Sequence, residues 1–208
     1  MTDEPFTIFL VDDDAGVLKA LSRLLQARGY EVQSFTSPQA FLADHDAAIP
    51  GCAVLDVSMP DLDGLALQTA LTAEGSQRPV IFLTGKGDIP TSVRAMRAGA
   101  IDFLTKPVND DDLLAAIANA EEEDAKIRSA NADLSSINAR IARLTPRERE
   151  VMTLVVAGRL NKQIAGDLGT VEKTVKVHRG RVMNKLGVRT VADLVRLAER
   201  AGISSTRS

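Results

Sequence analysis

Five short apolar segments in the first half of the chain, separated by segments with helical spacing, constrain the fold more than any other feature. They are FTIFLV (6–11), EVQSF (31–35), CAVL (52–55), VIFL (80–83) and IDFL (101–104). Regular alternation of strands and helices predicts parallel strands joined by right-handed crossovers, with helices on both faces of the sheet. The sequence therefore predicts a doubly wound α/β domain of about 120 residues.

Charge divides the chain unevenly. Residues 1–124 carry 8 Lys and Arg against 21 Asp and Glu, a net charge of −13, whereas residues 145–208 carry 13 against 6, a net charge of +7. An acidic front and a basic end predict two domains with different partners, and the basic end is a candidate for nucleic-acid binding. We place the first domain at 1–122, a linker helix with a possible coiled-coil seam at 123–143, and the second domain at 144–208.

Composition argues against a membrane-spanning or secreted protein. There is no run of about 18 apolar residues, and the N-terminus lacks the basic start and small-residue cleavage site of a signal peptide. The single cysteine, Cys52, lies in an apolar run and cannot form an internal disulfide, which fits a reducing compartment. We expect a cytoplasmic protein in which Cys52 fills the core.

Polar residues follow four of the five predicted strands. Three consecutive aspartates (residues 12–14) follow the first strand, Asp56 the third, Thr84 the fourth and Lys106 the fifth. In open parallel sheets, ligands bind beyond the carboxyl ends of the strands. Each aspartate alone is more often a turn or cap residue, but agreement between several strand ends favours a site.

The chemistry of that edge favours phosphoryl transfer. Clustered carboxylates repel one another unless a cation intervenes, and a hard divalent ion such as Mg²⁺ prefers oxygen ligands. A carboxylate beside Mg²⁺ can attack phosphorus to form an acyl phosphate, while Lys106 and the Thr84 hydroxyl can bind the phosphoryl oxygens.

Four motifs resemble, in order and spacing over residues 6–120, the receiver domain of two-component response regulators: VDDD, LDVSMPDLDG, FLTG and DFLTKP. The resemblance implies a flavodoxin-like sheet of order 2-1-3-4-5. It implies that Asp56 accepts phosphate from the phosphohistidine of a sensor histidine kinase. It also implies that Mg²⁺ or Mn²⁺ is held by Asp12, Asp13, Asp56 and the backbone carbonyl of Ser58, whereas Asp14 is a helix N-cap.

The same resemblance assigns Thr84 and Phe103 as a switch pair. Thr84 would move to bond the phosphoryl oxygen, and Phe103 would turn into the vacated space. Lys106 would precede a cis peptide bond to Pro107. From the residues alone, Phe103 is as readily a plain core aromatic, and Pro107 can equally be a trans turn residue.

A long helix is predicted from Leu113 to the region of Pro146, because no Pro or Gly interrupts it. Apolar residues recur in it at alternating spacings of three and four, which is a heptad seam too short to establish a coiled coil. The seam consists of Ile127, Ala130, Leu134, Ile137, Ile141 and Leu144. An ordered linker helix is favoured over a flexible tether, because the segment is poor in Gly, Ser and Pro.

The basic end divides into four predicted helices. Thr145, Pro146 and Glu148 form the capping box of the first, and Gly187 ends the third. A short helix and a turn before a basic helix is the arrangement of a helix-turn-helix, whose second helix enters the major groove. A charged helix face by itself is more often solvent-exposed surface than a DNA-binding site. The third helix is expected to bury a stripe of Val171, Val175, Val182, Met183 and Leu186.

Three segments covering 144–203 closely resemble the LuxR-type DNA-binding domain: LTPRERE, NKQIA and KTVKVHRGRVMNKLGV. The resemblance implies that Lys176 and Val177 face base edges. Groove or phosphate contacts are implied for Arg179, Arg181, Asn161, Lys162, Lys173 and Thr174. Val171 replaces a common capping Ser, so Thr170 or water must cap the helix. Gly180 replaces a longer side chain, which removes a base contact but lets the backbone approach DNA closely.

We expect a response regulator of the FixJ/NarL group, activated when phosphate on Asp56 changes the face at about 89–108 and promotes dimerisation. The dimer would bind double-stranded promoter DNA, as an activator acting with RNA polymerase. No enzyme activity is expected beyond its own phosphorylation and dephosphorylation.

Two alternatives are weighed against this function. A Mg²⁺-dependent phosphatase with an aspartyl nucleophile would carry Asp-x-Asp after the first strand and a cap region, which this sequence lacks. A phosphate-independent DNA-binding regulator would not need the complete set of Asp12, Asp13, Asp56, Thr84 and Lys106.

Overall fold

The chain divides into two compact units, Met1–Arg128 and Ser129–Ser208. The computed structural model describes residues 5–85 and 89–203. The outer ends of the first and last predicted domains, residues 1–4 and 204–208, lie outside the described residues. The domain boundaries stay a prediction.

The first unit is a five-stranded sheet with helices between the strands. Its elements are β1 (Thr7–Val11), α1 (Ala15–Ala27), β2 (Glu31–Phe35), α2 (Pro38–Asp44), β3 (Gly51–Asp56), α3 (Gly64–Ala73), β4 (Val80–Thr84), α4 (Ile89–Arg97) and β5 (Asp102–Thr105), and α5 (Asp110–Ala142) follows. All neighbouring strands are parallel, in the order β2-β1-β3-β4-β5. The predicted doubly wound, flavodoxin-like fold is confirmed.

The sheet separates two apolar cores, because successive side chains of a strand point to opposite faces. Ile8 and Leu10 of β1 pack in the core that contains Leu113 and Ile117 of α5. Phe9 of the same strand packs in the other core, with residues of α2 and α3. Cys52 is fully buried and packs in the first core. Burial raises the pKa of its thiol to about 12, so it fills the core as expected.

The second unit holds four helices after the end of α5. They are α6 (Pro146–Val156), α7 (Asn161–Asp167), α8 (Glu172–Leu186) and α9 (Val191–Arg200). The predicted capping box of α6 is present, with Thr145 Oγ1 accepting from the Glu148 amide. Gly187 ends α8 in the left-handed conformation, φ 67°.

Three of the six residues of the predicted heptad seam are buried in the core of the second unit. Ile137, Ile141 and Leu144 are buried in its core together with residues of α6, α8 and α9. Their apolar faces are therefore not free to pair with a second helix. Leu134, by contrast, is 38% exposed.

None of the helices in the described part of the chain is long and apolar enough to cross a bilayer.

Candidate functional site

Two buried carboxylates and one ammonium group meet at the carboxyl edge of the sheet. Lys106 Nζ donates to Asp12 Oδ2 and to Asp56 Oδ1, at 2.6 Å in each case. Asp12 and Asp56 are only 3% and 5% exposed, respectively. The second Asp56 oxygen, Oδ2, accepts from the Ser58 amide at 2.8 Å. The structure thus brings together Asp12, Asp56 and Lys106, all predicted from strand ends.

Strand register explains why residues so distant in sequence meet. Val11 of β1 pairs with Leu55 of β3, so the next residues, Asp12 and Asp56, leave adjacent strands side by side. Thr84 pairs with Thr105, which places Lys106 one residue beyond the end of β5. The Lys106 amide donates to the Thr84 carbonyl at 2.7 Å.

Charge at the site is not balanced by its own residues. Two carboxylates face one ammonium, an excess of one negative charge. Burial alone would lower the pKa of Lys106, but its hydrogen bonds to Asp12 and Asp56 outweigh burial and raise that pKa. Lys106 therefore stays charged at neutral pH. The remaining negative charge favours binding of a further cation. The carboxylate oxygens are ligands of the kind that a hard divalent ion prefers.

Asp13 stands apart from this pair, since its side chain is exposed. Within residues 5–85 and 89–203, no three His, Cys, Asp or Glu side chains lie as a group that could hold a metal ion. Asp12 and Asp56 converge on Lys106, and the predicted ligand set as a whole, with Asp13, stays a prediction. Asp14 is the N-cap of α1, as expected, accepting from the Gly16 amide at 2.7 Å.

Of the predicted switch residues, Thr84 follows Leu83, the β4 partner of Asp56, whereas Phe103 lies on β5 opposite Phe82. Thr84 is 1% exposed at the end of β4. Phe103 is half-buried on the edge strand β5, with its ring 6.3 Å from that of Phe82. The peptide bond between Lys106 and Pro107 is cis. Burial fits both a switch and a plain core aromatic, so the switch role of Phe103 stays a prediction.

The second unit presents a helix-turn-helix formed by α7 and α8. The predicted base-facing residues, Lys176 and Val177, are both exposed. Four other predicted contact residues, Lys162, Lys173, Gly180 and Arg181, are exposed as well, and Thr174 is partly exposed. Exposed Lys and Arg on one helix can neutralise DNA phosphates.

Arg179 and Asn161 differ from the other predicted contacts because they bind each other. Arg179 Nη1 donates to Asn161 Oδ1 at 2.5 Å, and Arg179 is half-buried. This bond joins α8 to the first residue of α7. Both residues therefore hold the two helices together, whether or not they also contact DNA.

One expectation about the start of α8 is wrong, namely that Val171 belongs to the buried stripe. Val171, assigned to the buried stripe, is 65% exposed, because it precedes the helix as its N-cap and points away from the core. Thr170 is not the cap, and the Val171 side chain makes no cap hydrogen bond. The buried stripe instead consists of Val175, Val182 and Leu186.

Sequence reasoning did not identify the partner of Lys185, a residue of α8. Lys185 Nζ donates to Glu148 Oε2 at 2.6 Å, and Glu148 is 2% exposed. Hydrogen bonds from Lys185 and from the backbone of Thr145 lower the pKa of Glu148 to about 2. The capping-box motif identified Glu148, but no local signal connects residues 37 positions apart.

Comparison with known proteins agrees with this arrangement. Residues 8–118 match the model of the response regulator receiver domain, and residues 142–198 match that of the LuxR family of bacterial regulatory proteins. The chain is a response regulator. As a member of this class it pairs a receiver domain with a LuxR-type DNA-binding domain, and it belongs with transcription regulators rather than with enzymes.

Its similarity to other response regulators extends over nearly the whole chain. It is 43% identical over 201 residues to nodulation protein W of Bradyrhizobium diazoefficiens, covering 97% of this chain and 88% of the relative. It is 42% identical over 196 residues to FixJ of the same organism, covering 94% and 96%.

Two solved structures extend the similarity to three dimensions. The response regulator StyR superimposes with a TM-score of 0.80 at 44% identity, covering 94% of this chain and 99% of that chain. Full-length FixJ from B. japonicum gives a TM-score of 0.58 at 41% identity, covering 95% and 98%.

Proposed function

We propose that Asp56 is the phosphoacceptor of this response regulator and that a sensor histidine kinase supplies the phosphate. A carboxylate oxygen of Asp56 forms a bond to phosphorus while the bond between phosphorus and the donor's imidazole breaks. The phosphoryl group then sits within reach of the Lys106 ammonium, which binds its oxygens. The observation that carries this proposal is the contact of one ammonium with two buried carboxylates, Asp12 and Asp56, at 2.6 Å each.

We infer that Mg²⁺ or Mn²⁺ binds beside Asp56 through Asp12, Asp56 and the backbone carbonyl of Ser58, with Asp13 turning in as a further ligand. Two buried carboxylate oxygens fit a hard cation, and their excess negative charge supports one. The ion would neutralise charge on the entering phosphoryl group. Lys106 holds the Asp56 carboxylate in place, and the Ser58 amide fixes its second oxygen.

The output of phosphorylation would be dimerisation and binding to promoter DNA. Thr84 would bond a phosphoryl oxygen and Phe103 would repack, which changes the face of α4 and β5. That face carries the exposed apolar residues Ile89, Val93 and Met96, which support association with a second copy. Two α8 helices would then read successive major grooves, with Lys176 and Val177 at base edges, and the dimer would act on RNA polymerase as an activator.

A direct test treats the full chain with acetyl phosphate and Mg²⁺ and records its intact mass. We expect a labile phosphate-sized mass gain and a dimer by light scattering in the wild type, and neither in Asp56→Asn. Asp63→Asn is a matched control, because Asp63 caps α3 at the same edge and contacts neither Asp56 nor Lys106. Mass gain at equal levels in Asp56→Asn would reject the assignment.

A further inference from the structure

The loop that precedes β3 is held by two arginines at the edge of the sheet opposite Asp56. Arg128 Nη1 donates to the carbonyl of Ala48 at 2.7 Å and Arg128 Nη2 to that of Ile49 at 2.6 Å. Arg78 Nη2 donates to the carbonyl of Asp46 at 2.7 Å. β3 separates this loop from the phosphoacceptor by six residues, about 17 Å of extended chain.

Arg128 is oriented by a buried carboxylate of its own helix. Its Nε donates to Asp124 Oδ2 at 2.7 Å, and the Asp124 side chain is 8% exposed. The planar guanidinium can thus engage a carboxylate and two carbonyls at once, which the single ammonium of a lysine cannot do in the same geometry. Three charge-assisted bonds therefore fix this one side chain.

Arg78, the second arginine bound to this loop, is more deeply buried than Arg128. Its guanidinium lies 4.1 Å from the centre of the Phe9 ring. Burial lowers the pKa of Arg78 to about 10, against the attraction of the Asp124 carboxylate. Asp124 thus balances two cations, Arg78 and Arg128, and all three residues belong to the first unit.

Arg128 is the last residue of α5 in that unit, and the next two turns of the helix are exposed to solvent. Residues 129–136 are all exposed, and burial resumes only at Ile137. Two turns of solvated helix are not stable in isolation, because helix formation needs a costly nucleus. The exposed stretch is held by Arg128 at one end and, at the other, by Ile137 and its neighbours together with the ion pair of Asp133 with Arg200, at 2.7 Å.

We propose that Arg128 is a positioning residue that fastens α5 to the receiver at Ala48 and Ile49, and that the helix needs this attachment to carry the state of Asp56 to the DNA-binding unit. The attachment orders residues 129–136. Without it, the receiver still takes phosphate but no longer determines how strongly the second unit binds DNA. This second half of the proposal rests on the proposed function.

The test compares Arg128→Gln with Lys126→Gln in the full-length chain. Both variants lose one cation from the same turn of α5, but Lys126 is exposed and pairs with Glu123 of its own helix, at 3.4 Å. Hydrogen exchange of the amides in 129–136 should be at least tenfold faster in Arg128→Gln and within twofold of wild type in Lys126→Gln. Asp124→Asn, which weakens the Nε bond but leaves the two carbonyl bonds, should give an intermediate acceleration. Wild-type exchange in Arg128→Gln would overturn the attachment.

The same proteins are then phosphorylated with acetyl phosphate and titrated with duplex DNA. Arg128→Gln should gain the phosphate mass as fast as wild type. The ratio of its DNA affinities with and without phosphate should nevertheless be at least fivefold smaller than in the wild type. Normal phosphate uptake separates a positioning role from general damage to the receiver. An unchanged affinity ratio despite faster exchange would overturn the role in signalling.

Failure of the proposed function is recognisable separately. Measurements on the wild type are sufficient to detect it, because the wild type would then gain no phosphate or would show no change in DNA affinity. The exchange comparison would still decide whether Arg128 attaches the helix.

Discussion

At the scale of single residues, the site is governed by one cation between two buried anions. Lys106 bridges Asp12 and Asp56, and both carboxylates are almost fully withdrawn from water. Removing one partner of a buried ion pair costs more than the pair contributes, because it leaves charge buried without compensation. Lys106 therefore supports folding of the receiver, whatever it does with phosphate.

Lys106→Gln should destabilise the receiver at neutral pH by about 1–3 kcal/mol, because Asp12 and Asp56 then repel each other without a counterion. Urea unfolding in EDTA measures the loss. Addition of Mg²⁺ should recover part of it, since the ion supplies the missing positive charge. The exposed Lys19→Gln on α1 is the control and should show neither effect. A loss that Mg²⁺ leaves unchanged would contradict a cation site at these carboxylates.

At the scale of secondary-structure elements, the DNA-binding unit is held together by bonds between helix ends. Glu148 closes the capping box of α6 and also accepts from Lys185 of α8. Arg179 of α8 donates to Asn161 at the start of α7. These bonds fix the orientation of α8 relative to α6 and α7.

Glu148→Gln should lower the stability of the second unit in a pH-dependent way. The pKa of Glu148 falls from 4.5 to about 2 on folding, so its contribution is present above pH 4.5 and is lost as pH falls towards 2. We expect a difference of about 1–3 kcal/mol from wild type at pH 7, as for a hydrogen bond to a charged group, vanishing near pH 2. Thermal unfolding followed by circular dichroism at several pH values measures it.

Glu150→Gln provides the matched control on the same helix. Glu150 pairs with Arg147 on the surface, where its side chain is 52% exposed, so its replacement should shift stability little at any pH. Equal losses in the two variants would show that Lys185 contributes nothing through Glu148.

Gly180→Ala tests the recognition helix. Nothing lies within 4 Å of a Cβ added at Gly180, so the substitution should stabilise α8 by about 0.5–1 kcal/mol through helix propensity. If the backbone at Gly180 lies against DNA, the same variant should bind DNA more weakly despite its higher stability. Fluorescence anisotropy with duplex DNA, read beside thermal unfolding, separates the two effects. Stability and affinity rising together would reject close approach at Gly180.

At the scale of the whole molecule, an acidic receiver is joined to a basic DNA-binding unit in one chain. The net charge of −3 conceals −13 in residues 1–124 and +7 in residues 145–208. DNA binding by such a chain releases counterions from the phosphates, while the acidic receiver opposes approach to DNA.

DNA affinity of the phosphorylated full chain should fall linearly on a log–log plot against salt concentration. Lys173→Gln should lower the magnitude of the slope by about one, as expected for the loss of one phosphate contact, and weaken binding similarly for all sequences. Lys176→Gln should in addition reduce discrimination between sequences, because the family resemblance implies that Lys176 faces a base edge. Anisotropy titrations at four salt concentrations measure both. Identical behaviour of the two variants would contradict the division between phosphate and base contacts.

Much of the molecule is determined by the sequence itself. Apolar runs and their order define the parallel sheet, and the aspartates after β1 and β3 must lie at its carboxyl edge because side-by-side parallel strands end together. Cap and turn residues define the helix ends, as at Thr145 and Gly187, because their side chains or φ angles act within a few residues. These are local or periodic features, and the sequence displays them directly.

Tertiary structure decided what no local pattern encodes. It showed that Lys106 bridges two aspartates, that Lys185 pairs with Glu148, and that the seam residues Ile137 and Ile141 are buried in the second unit. It exposed Val171 and showed Arg128 bonded to a loop 80 residues earlier. Each of these depends on which distant groups the fold brings within hydrogen-bonding or packing distance, and spacing along the chain does not contain that information.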